Sequence, residues 1–196
     1  MKRRLWSICV KVKICGIKTI EDIQSLNRYK PDFAGFVLSK RSKRFVSYER
    51  AVELMRSLDP AIRTVGVFLD NPVGEIETYA AFDFWQLHGY REDETPKGRK
   101  IIRAYSVKTR EDIARAERSE ADYILLDHGL GGTGKQFDWS LLDVKRDFFL
   151  AGGLNEENLK GLPVRPFALD VSSGVETDGK KDDEKIRRFI ESARRL

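Results

Sequence analysis

The sequence predicts an α/β fold, a single-domain (β/α)8 barrel that spans residues 1–196. Eight short β-rich runs recur along the chain, and most of them alternate with amphipathic or capped helical segments. Most runs are apolar on both faces, as in Ile124-Leu125-Leu126, which is typical of buried parallel strands. An open, doubly wound sheet is the competing fold, and 196 residues place a barrel at the compact end of its range.

The eight runs define the predicted strands. They cover residues 9–15, 33–38, 64–69, 84–88, 101–105, 123–127, 148–151 and 168–171. Thr19 and Ser47 are typical N-cap residues, which predicts that the first two helices begin directly after them. Further helical segments are predicted at 109–117, 155–159 and 182–195, whereas residues 90–99 are too polar and too short to predict a helix.

Composition limits the class of protein. With 41% hydrophobic and 34% charged residues, the chain is expected to be soluble and globular rather than disordered. No apolar run approaches the length of a membrane span, and residues 1–6 are not followed by the apolar segment of a signal peptide. The net charge of +5 comes from basic residues that are spread out, apart from 40–44. We therefore expect a small anionic ligand, and neither nucleic acid nor a membrane, as partner.

The two cysteines, Cys9 and Cys15, lie in the first predicted strand. An extended strand separates them by about 20 Å, which is beyond the reach of a disulfide, so a reducing cytoplasm is the expected location. Only His88 and His128 accompany them, and without a C-x-x-C or H-x-x-x-H pair no metal site is predicted. The Cys15 thiol remains open as a packing group, a nucleophile or a base.

In such barrels the active site lies at the carboxyl ends of the strands. Polar or flexible residues end or follow the predicted strands there, namely Cys15, the run 40–44 with Arg44, Gln86, His88, Asp127, Gly152, Gly153, Asp170, Ser172, Ser173 and Gly174. Taken alone, a strand-end cysteine is more often a buried packing residue, and a strand-end aspartate is more often a turn residue. Their joint placement favours a site.

Two of these loops predict a phosphate site. In "AGGLNEENL" (151–159), two glycines allow backbone N–H groups to approach a ligand, and Asn155 is predicted to start a short helix whose N-terminus favours an anion. "DVSSGVE" (170–176) offers two hydroxyls and a glycine after the next strand. Loops after strands seven and eight of a barrel commonly bind phosphate. The run 40–44 adds arginine, whose planar fork suits a carboxylate.

A third glycine-rich loop, "GLGGTGKQ" (129–136), matches most of a nucleotide-binding P-loop. Gln136 occupies the position where Ser or Thr would hold Mg²⁺, and the loop lies two-thirds along the chain instead of after the first strand. A flexible active-site loop is the favoured interpretation, and a nucleotide-binding module remains the alternative.

Together these stretches resemble the phosphoribosylanthranilate isomerase family of tryptophan biosynthesis. The matching segments are "VKICGI" (12–17), "GFVLSKRSKRFVS" (35–47), "VGVFLDNP" (65–72), "WQLHG" (85–89), "ILLDHGLGGTGKQFDW" (124–139), "LAGGLNEENL" (150–159) and "DVSSGVETDGKKD" (170–182). The resemblance implies a (β/α)8 barrel and a cofactor-free Amadori rearrangement of N-(5-phosphoribosyl)anthranilate, a phosphosugar. It implies Cys15 as general base, Asp127 as general acid and Arg44 as ligand of the anthranilate carboxylate.

The resemblance further implies that Gly152, Gly153, Asp170, Ser172, Ser173 and Gly174 belong to the phosphate loops, with Gln86 and His88 as further substrate-binding residues. The protein is expected to be a monomer or a homodimer. Three departures concern loop rigidity: a short loop after Asp127, Ser39-Lys40 in place of the usual proline, and Asp178 in place of another proline. The related histidine-pathway sugar isomerase is the alternative enzyme, although it uses an aspartate as base where this chain has Cys15.

The proposed chemistry needs a thiolate and a carboxylic acid, whereas a free thiol and a free carboxyl prefer the opposite forms at neutral pH. Lys13 lies two residues before Cys15 on the same strand, so its side chain is expected to point inward beside that of Cys15. A nearby cation favours the thiolate. Burial would favour the protonated form of Asp127 but oppose the thiolate.

Overall fold

Eight parallel strands close into a barrel in the computed structural model, which describes residues 9–128 and 138–196. The strands are β1 (Lys11–Cys15), β2 (Phe33–Val37), β3 (Arg63–Phe68), β4 (Phe84–His88), β5 (Lys100–Ser106), β6 (Tyr123–Asp127), β7 (Phe148–Leu150) and β8 (Ala168–Val171). Each strand pairs with the next, and β8 pairs with β1. The predicted (β/α)8 barrel is confirmed.

Five α-helices lie among the described connections. They are α1 (Ile20–Tyr29), α2 (Tyr48–Met55), α3 (Val73–Thr78), α4 (Arg110–Glu117) and α5 (Asp183–Ala193). Short 3-10 turns stand at Trp139–Leu141, Asn158–Gly161 and Ser173–Val175, and β9 (Glu176–Thr177) pairs with β10 (Lys180–Lys181) in a small hairpin after β8. None of the helices formed by the described residues has the length and the apolar character of a membrane span.

The helices begin where the capping residues predict. Thr19 and Thr109 each accept a hydrogen bond from the backbone of the aspartate three residues later, whose carboxylate accepts from the backbone in return. The Ser47 side chain caps α2 and the Asp182 side chain caps α5. The predicted helix at 155–159 is wrong in its start: Asn155 Oδ1 accepts from the backbone of residues 157 and 158, so it closes a turn before the 3-10 segment.

The alternation of side chains along the strands divides the apolar residues into two cores. One core lies between the barrel and the helices, and the other fills the barrel interior. Aromatic rings fill the end of the barrel where the strands begin, with centroids 4.8 to 6.3 Å apart: Phe33, Phe84, Tyr123, Phe149 and Phe167. Because this end is filled, the inward-facing residues at the opposite end are the ones left to line a cleft.

The first strand is shorter than predicted. It begins at Lys11, and Cys9 lies outside it with an exposed side chain. Both cysteines are free thiols, and Cys15 is buried at the end of the strand. The ranges of β4, β6 and β8 match the prediction, and the other strand ends differ by one or two residues.

Candidate active site

A cleft of about 740 Å³, which includes space open to solvent, lies at the carboxyl ends of the strands. Its lining contains ten of the residues predicted from the sequence, namely Cys15, Arg44, Gln86, His88, Asp127, Gly152, Gly153, Asp170, Ser172 and Ser173. Ser42, from the predicted run 40–44, also lines it, and so do the apolar Val37, Val67 and Leu69, to which the sequence did not point. Most of these positions follow from the alternation of side chains along the strands. The side chains that point into the barrel also line the cleft where the strands end.

Gly174 is the predicted site residue that does not line the cleft. A Cβ at this position would lie 1.9 Å from the carbonyl oxygen of Leu154. The glycine therefore lets the loop after β8 pack directly against the backbone of the loop after β7. It acts on the shape of the two glycine loops rather than on the cleft surface.

Cys15 lies at the end of β1 with 8% of its surface exposed. Lys13, two residues earlier, points inward as strand parity predicts and is fully buried. Burial raises the pKa of the Cys15 thiol, and the positive charge of Lys13 opposes that rise without cancelling it. The thiol is therefore the dominant form of Cys15 in the structure at neutral pH.

Asp170 is the counter-ion of Lys13. Lys13 Nζ donates to Asp170 Oδ1 and Oδ2 at 2.9 and 3.0 Å. Burial lowers the pKa of Lys13, but the combined effect of Asp170 and Cys15 is larger, so the pKa is raised overall. The structure thus commits Asp170, expected among the phosphate loops, to a buried cation.

Asp127 ends β6 on the same cleft, with 6% of its surface exposed. Its Oδ1 accepts a hydrogen bond from the backbone N–H of His128 at 2.6 Å. Gly152 has φ +91°, and a Cβ there would lie 2.8 Å from Asp127 Oδ1. A glycine at this position therefore allows the loop after β7 to approach the carboxyl group closely.

Arg44, which lines the same cleft, is part of a buried ion network. Its Nε and Nη2 donate to the two carboxylate oxygens of Glu176, each at 2.7 Å, and Lys181 Nζ donates to Glu176 Oε1 at 2.8 Å. Burial raises the pKa of Glu176, but the hydrogen bonds from the two cations outweigh it and lower the pKa to about 2. Burial also lowers the pKa of Lys181, although Glu176 opposes that change.

Glu176 and Lys181 were not predicted as part of the site. They pair across the β9–β10 hairpin, whose turn is Asp178-Gly179. An Asp-Gly pair flanked by short extended segments is a strong hairpin signal, and it would have placed these residues opposite each other. Lys181 Nζ also donates to the backbone oxygen of Ser172 at 3.0 Å, so the hairpin is tied to the loop after β8.

Gln86 and His88 extend inward from β4. Their Nε2 atoms are 2.7 Å apart, so the Gln86 amide donates and His88 accepts. Desolvation in the cleft, with a contribution from the charge of Lys13, lowers the pKa of His88 to about 4, so the ring is neutral at physiological pH. Gln86 Oε1 is buried without a hydrogen-bond partner among residues 9–128 and 138–196.

The P-loop-like segment 129–136 lies outside the described residues. Within the described ranges, no group of three or more His, Cys, Asp or Glu side chains is arranged to hold a metal ion. The titratable side chains that line the described cleft are the thiol of Cys15, the carboxyl group of Asp127, the neutral imidazole of His88, and Asp170 and Arg44, each paired with an opposite charge.

Known proteins are similar to this chain in sequence and in fold over almost its whole length. A family model for N-(5'-phosphoribosyl)anthranilate (PRA) isomerase matches residues 12–192. The N-(5'-phosphoribosyl)anthranilate isomerase of Clostridium kluyveri is 44% identical over 198 residues, covering 95% of this chain and 99% of that protein.

Two crystal structures have the same barrel. Monomers generated from the dimeric phosphoribosylanthranilate isomerase of Thermotoga maritima match with a TM-score of 0.84 and 38% identity. A phosphoribosyl anthranilate isomerase in complex with reduced 1-(o-carboxyphenylamino)-1-deoxyribulose 5-phosphate matches with a TM-score of 0.83 and 37% identity. Each match covers 95% of this chain and 100% of the other. The chain belongs to the N-(5'-phosphoribosyl)anthranilate isomerase family.

Proposed function

We propose that the protein converts N-(5'-phosphoribosyl)anthranilate to 1-(2-carboxyphenylamino)-1-deoxyribulose 5-phosphate, an Amadori rearrangement in tryptophan biosynthesis. The observation that carries the proposal is the placement of Cys15 and Asp127 at the ends of β1 and β6, on one cleft of a barrel that belongs to this family. The analogue bound to one relative has the carbon skeleton of the proposed product.

The reaction needs one acid and one base. Asp127, as a carboxylic acid, protonates the furanose ring oxygen; the C1–O bond then breaks toward that oxygen, and the nitrogen lone pair forms the C1=N iminium. The Cys15 thiolate removes the proton from C2, which leaves a C1=C2 enolamine and a neutral nitrogen. Transfer of the enol proton to C1 through solvent yields the ketone. Positioned proton transfer of this kind contributes roughly 10² to 10⁴ in rate.

Other groups of the cleft suit the phosphate and the carboxylate at the two ends of the substrate. The backbone of the loops containing Gly152, Gly153, Ser172 and Ser173 offers N–H groups for a phosphate. Arg44 is proposed to bind the anthranilate carboxylate through Nη1, the guanidinium nitrogen without a hydrogen bond to the described residues, while Glu176 holds its other edge. Gln86 Oε1 is proposed to accept from a sugar hydroxyl, which would satisfy its buried oxygen.

A direct assay with two substrates tests the function. Purified protein is given N-(5'-phosphoribosyl)anthranilate in one reaction and the histidine-pathway sugar phosphate in the other. We expect conversion of the anthranilate compound, because Cys15 occupies the base position where the histidine-pathway enzyme has an aspartate. Conversion of the histidine-pathway compound alone would reject the proposal.

Complementation gives an independent test. The gene is expected to restore tryptophan prototrophy to a strain that lacks this isomerase, and the Cys15→Ala gene, matched for expression, is expected not to. No cofactor is proposed, the location is proposed to be the cytoplasm, and the protein is proposed to act as a monomer or a homodimer, as one relative is dimeric. Light scattering at assay concentration distinguishes the two assembly states.

A further inference from the structure

We propose that the buried Lys13–Asp170 ion pair is the positioning element that makes Cys15 basic: the Lys13 ammonium stabilises the thiolate, and Asp170 holds that ammonium beside the sulfur. The inference rests on the proposed role of Cys15 as the base. It gives Asp170 a task other than binding substrate.

The strand register builds the pair. Lys13 on β1 lies opposite Asp170 on β8, and both side chains point into the barrel. Lys13 Nζ donates to both carboxylate oxygens, at 2.9 and 3.0 Å, and its side chain is completely buried. A lysine ammonium has three N–H donors, so two directed at Asp170 leave one for another acceptor.

Gly35 shows how close that third donor is to the sulfur. It lies opposite Cys15 in the register of β1 and β2, and a Cβ built on it would lie 3.0 Å from Cys15 Sγ and 3.0 Å from Lys13 Nζ. The two atoms are therefore no farther apart than twice that distance. The missing side chain of Gly35 leaves the space that the sulfur and the ammonium share.

Other charged groups also face Cys15. The charges of Arg44 and Lys181 also act on Cys15, but these two cations share the carboxylate of Glu176. His88 is neutral above about pH 4 because desolvation lowers its pKa, and Asp127 lines the same cleft. Burial raises the pKa of the thiol, and Lys13 is the strongest of the groups that oppose it.

The test measures the ionisation of Cys15 without substrate. All variants carry Cys9→Ser, because Cys9 is the exposed cysteine. The rate of alkylation of Cys15 by iodoacetamide is followed against pH by mass spectrometry, since only the thiolate reacts. Lys13→Met is expected to slow alkylation at pH 8 at least tenfold and to move the midpoint upward, whereas Lys13→Arg retains most of the parent rate.

A second variant covers the case in which Lys13→Met fails to fold with Asp170 left unpaired. Lys13→Met/Asp170→Asn buries no charge at this place, and it is expected to show a midpoint above the parent, because the lost cation acts on the sulfur more strongly than the lost carboxylate. Arg103→Met is the matched control: it removes a buried cation from β5 outside the cleft, and the midpoint should not move. A parent-like midpoint in the folded double variant overturns the inference.

Turnover is measured separately, which keeps the two proposals distinguishable. If the parent protein does not isomerise N-(5'-phosphoribosyl)anthranilate but the midpoint is still raised in the Lys13 variants, the proposed function is rejected and the effect of the ion pair on the thiolate stands. Normal turnover with unchanged midpoints rejects the ion pair and leaves the function.

Discussion

Replacing Glu176 with Gln removes the negative charge that two buried cations, Arg44 and Lys181, share. In the folded protein the pKa of Glu176 is about 2 instead of 4.5, because Arg44 and Lys181 donate to it against the opposing effect of burial. A difference of that size corresponds to about 3 kcal/mol of folding free energy at neutral pH. Breaking a buried pair by removing one partner has a similar cost of about 3–5 kcal/mol, since the remaining charge is left without compensation.

The pH dependence has a definite sign. A carboxyl whose folded pKa is depressed stabilises the fold above its unfolded pKa, here near 4.5, and the contribution is lost as pH falls toward 2. Urea unfolding of parent and Glu176→Gln is therefore expected to differ by about 3 kcal/mol at pH 7. The difference is expected to shrink steadily between pH 4.5 and pH 3.

Glu184→Gln is the matched control. The pKa of Glu184 is also lowered to about 2, by hydrogen bonds from Arg187 and Arg188, but these side chains are exposed on α5. Solvent screens such pairs, and many contribute nothing measurable, so the unfolding midpoint is expected to stay at the parent value. Equal midpoints for parent and Glu176→Gln at pH 7, or a difference that persists unchanged at pH 3, would refute the reasoning.

The remaining predictions concern the ends of the cleft and its loops. Arg44→Ala is expected mainly to raise KM, because it removes a ground-state contact; a change in kcat alone would reject the carboxylate contact. NMR titration of the His88 ring is expected to give a pKa of about 4, and a midpoint near 6.5 would show that the cleft does not desolvate it. Gly174→Ala is expected to destabilise the fold by about 1–3 kcal/mol, because its Cβ would overlap Leu154, whereas Gly161→Ala, which has open space, serves as the control. Equal unfolding midpoints of the two alanine variants would contradict the packing argument.

The barrel was predictable because its strands carry their own signal. Parallel strands buried on both faces are short apolar runs, and the N-cap residues mark where helices start. Helix α3 (Val73–Thr78) was missed because it is short and no side chain caps it. The connection from β4 to β5 also depends on distant contacts: Arg103 donates from β5 to the backbone oxygens of Tyr90 and Arg91, which holds that segment without a helix.

The direction of the site side chains was predictable, but their partners were not. Strand parity sends Lys13 inward with Cys15, as expected. The assignment of Asp170 to that lysine depends on the register between the first and last strands, which joins residues far apart in sequence. Glu176 reaches Arg44 in the same way, through tertiary packing, although the Asp178-Gly179 turn signals the hairpin that carries it.

The central claim is that Cys15 and Asp127 perform the two proton transfers. The most direct measurement compares kcat for N-(5'-phosphoribosyl)anthranilate in Cys15→Ala and Asp127→Asn with kcat in the parent and in Cys9→Ala, together with affinity for the reduced product analogue. Each site variant is expected to lose at least ~10² in kcat with nearly unchanged affinity, and Cys9→Ala is expected to lose nothing. Near-parental turnover in either site variant would contradict the account.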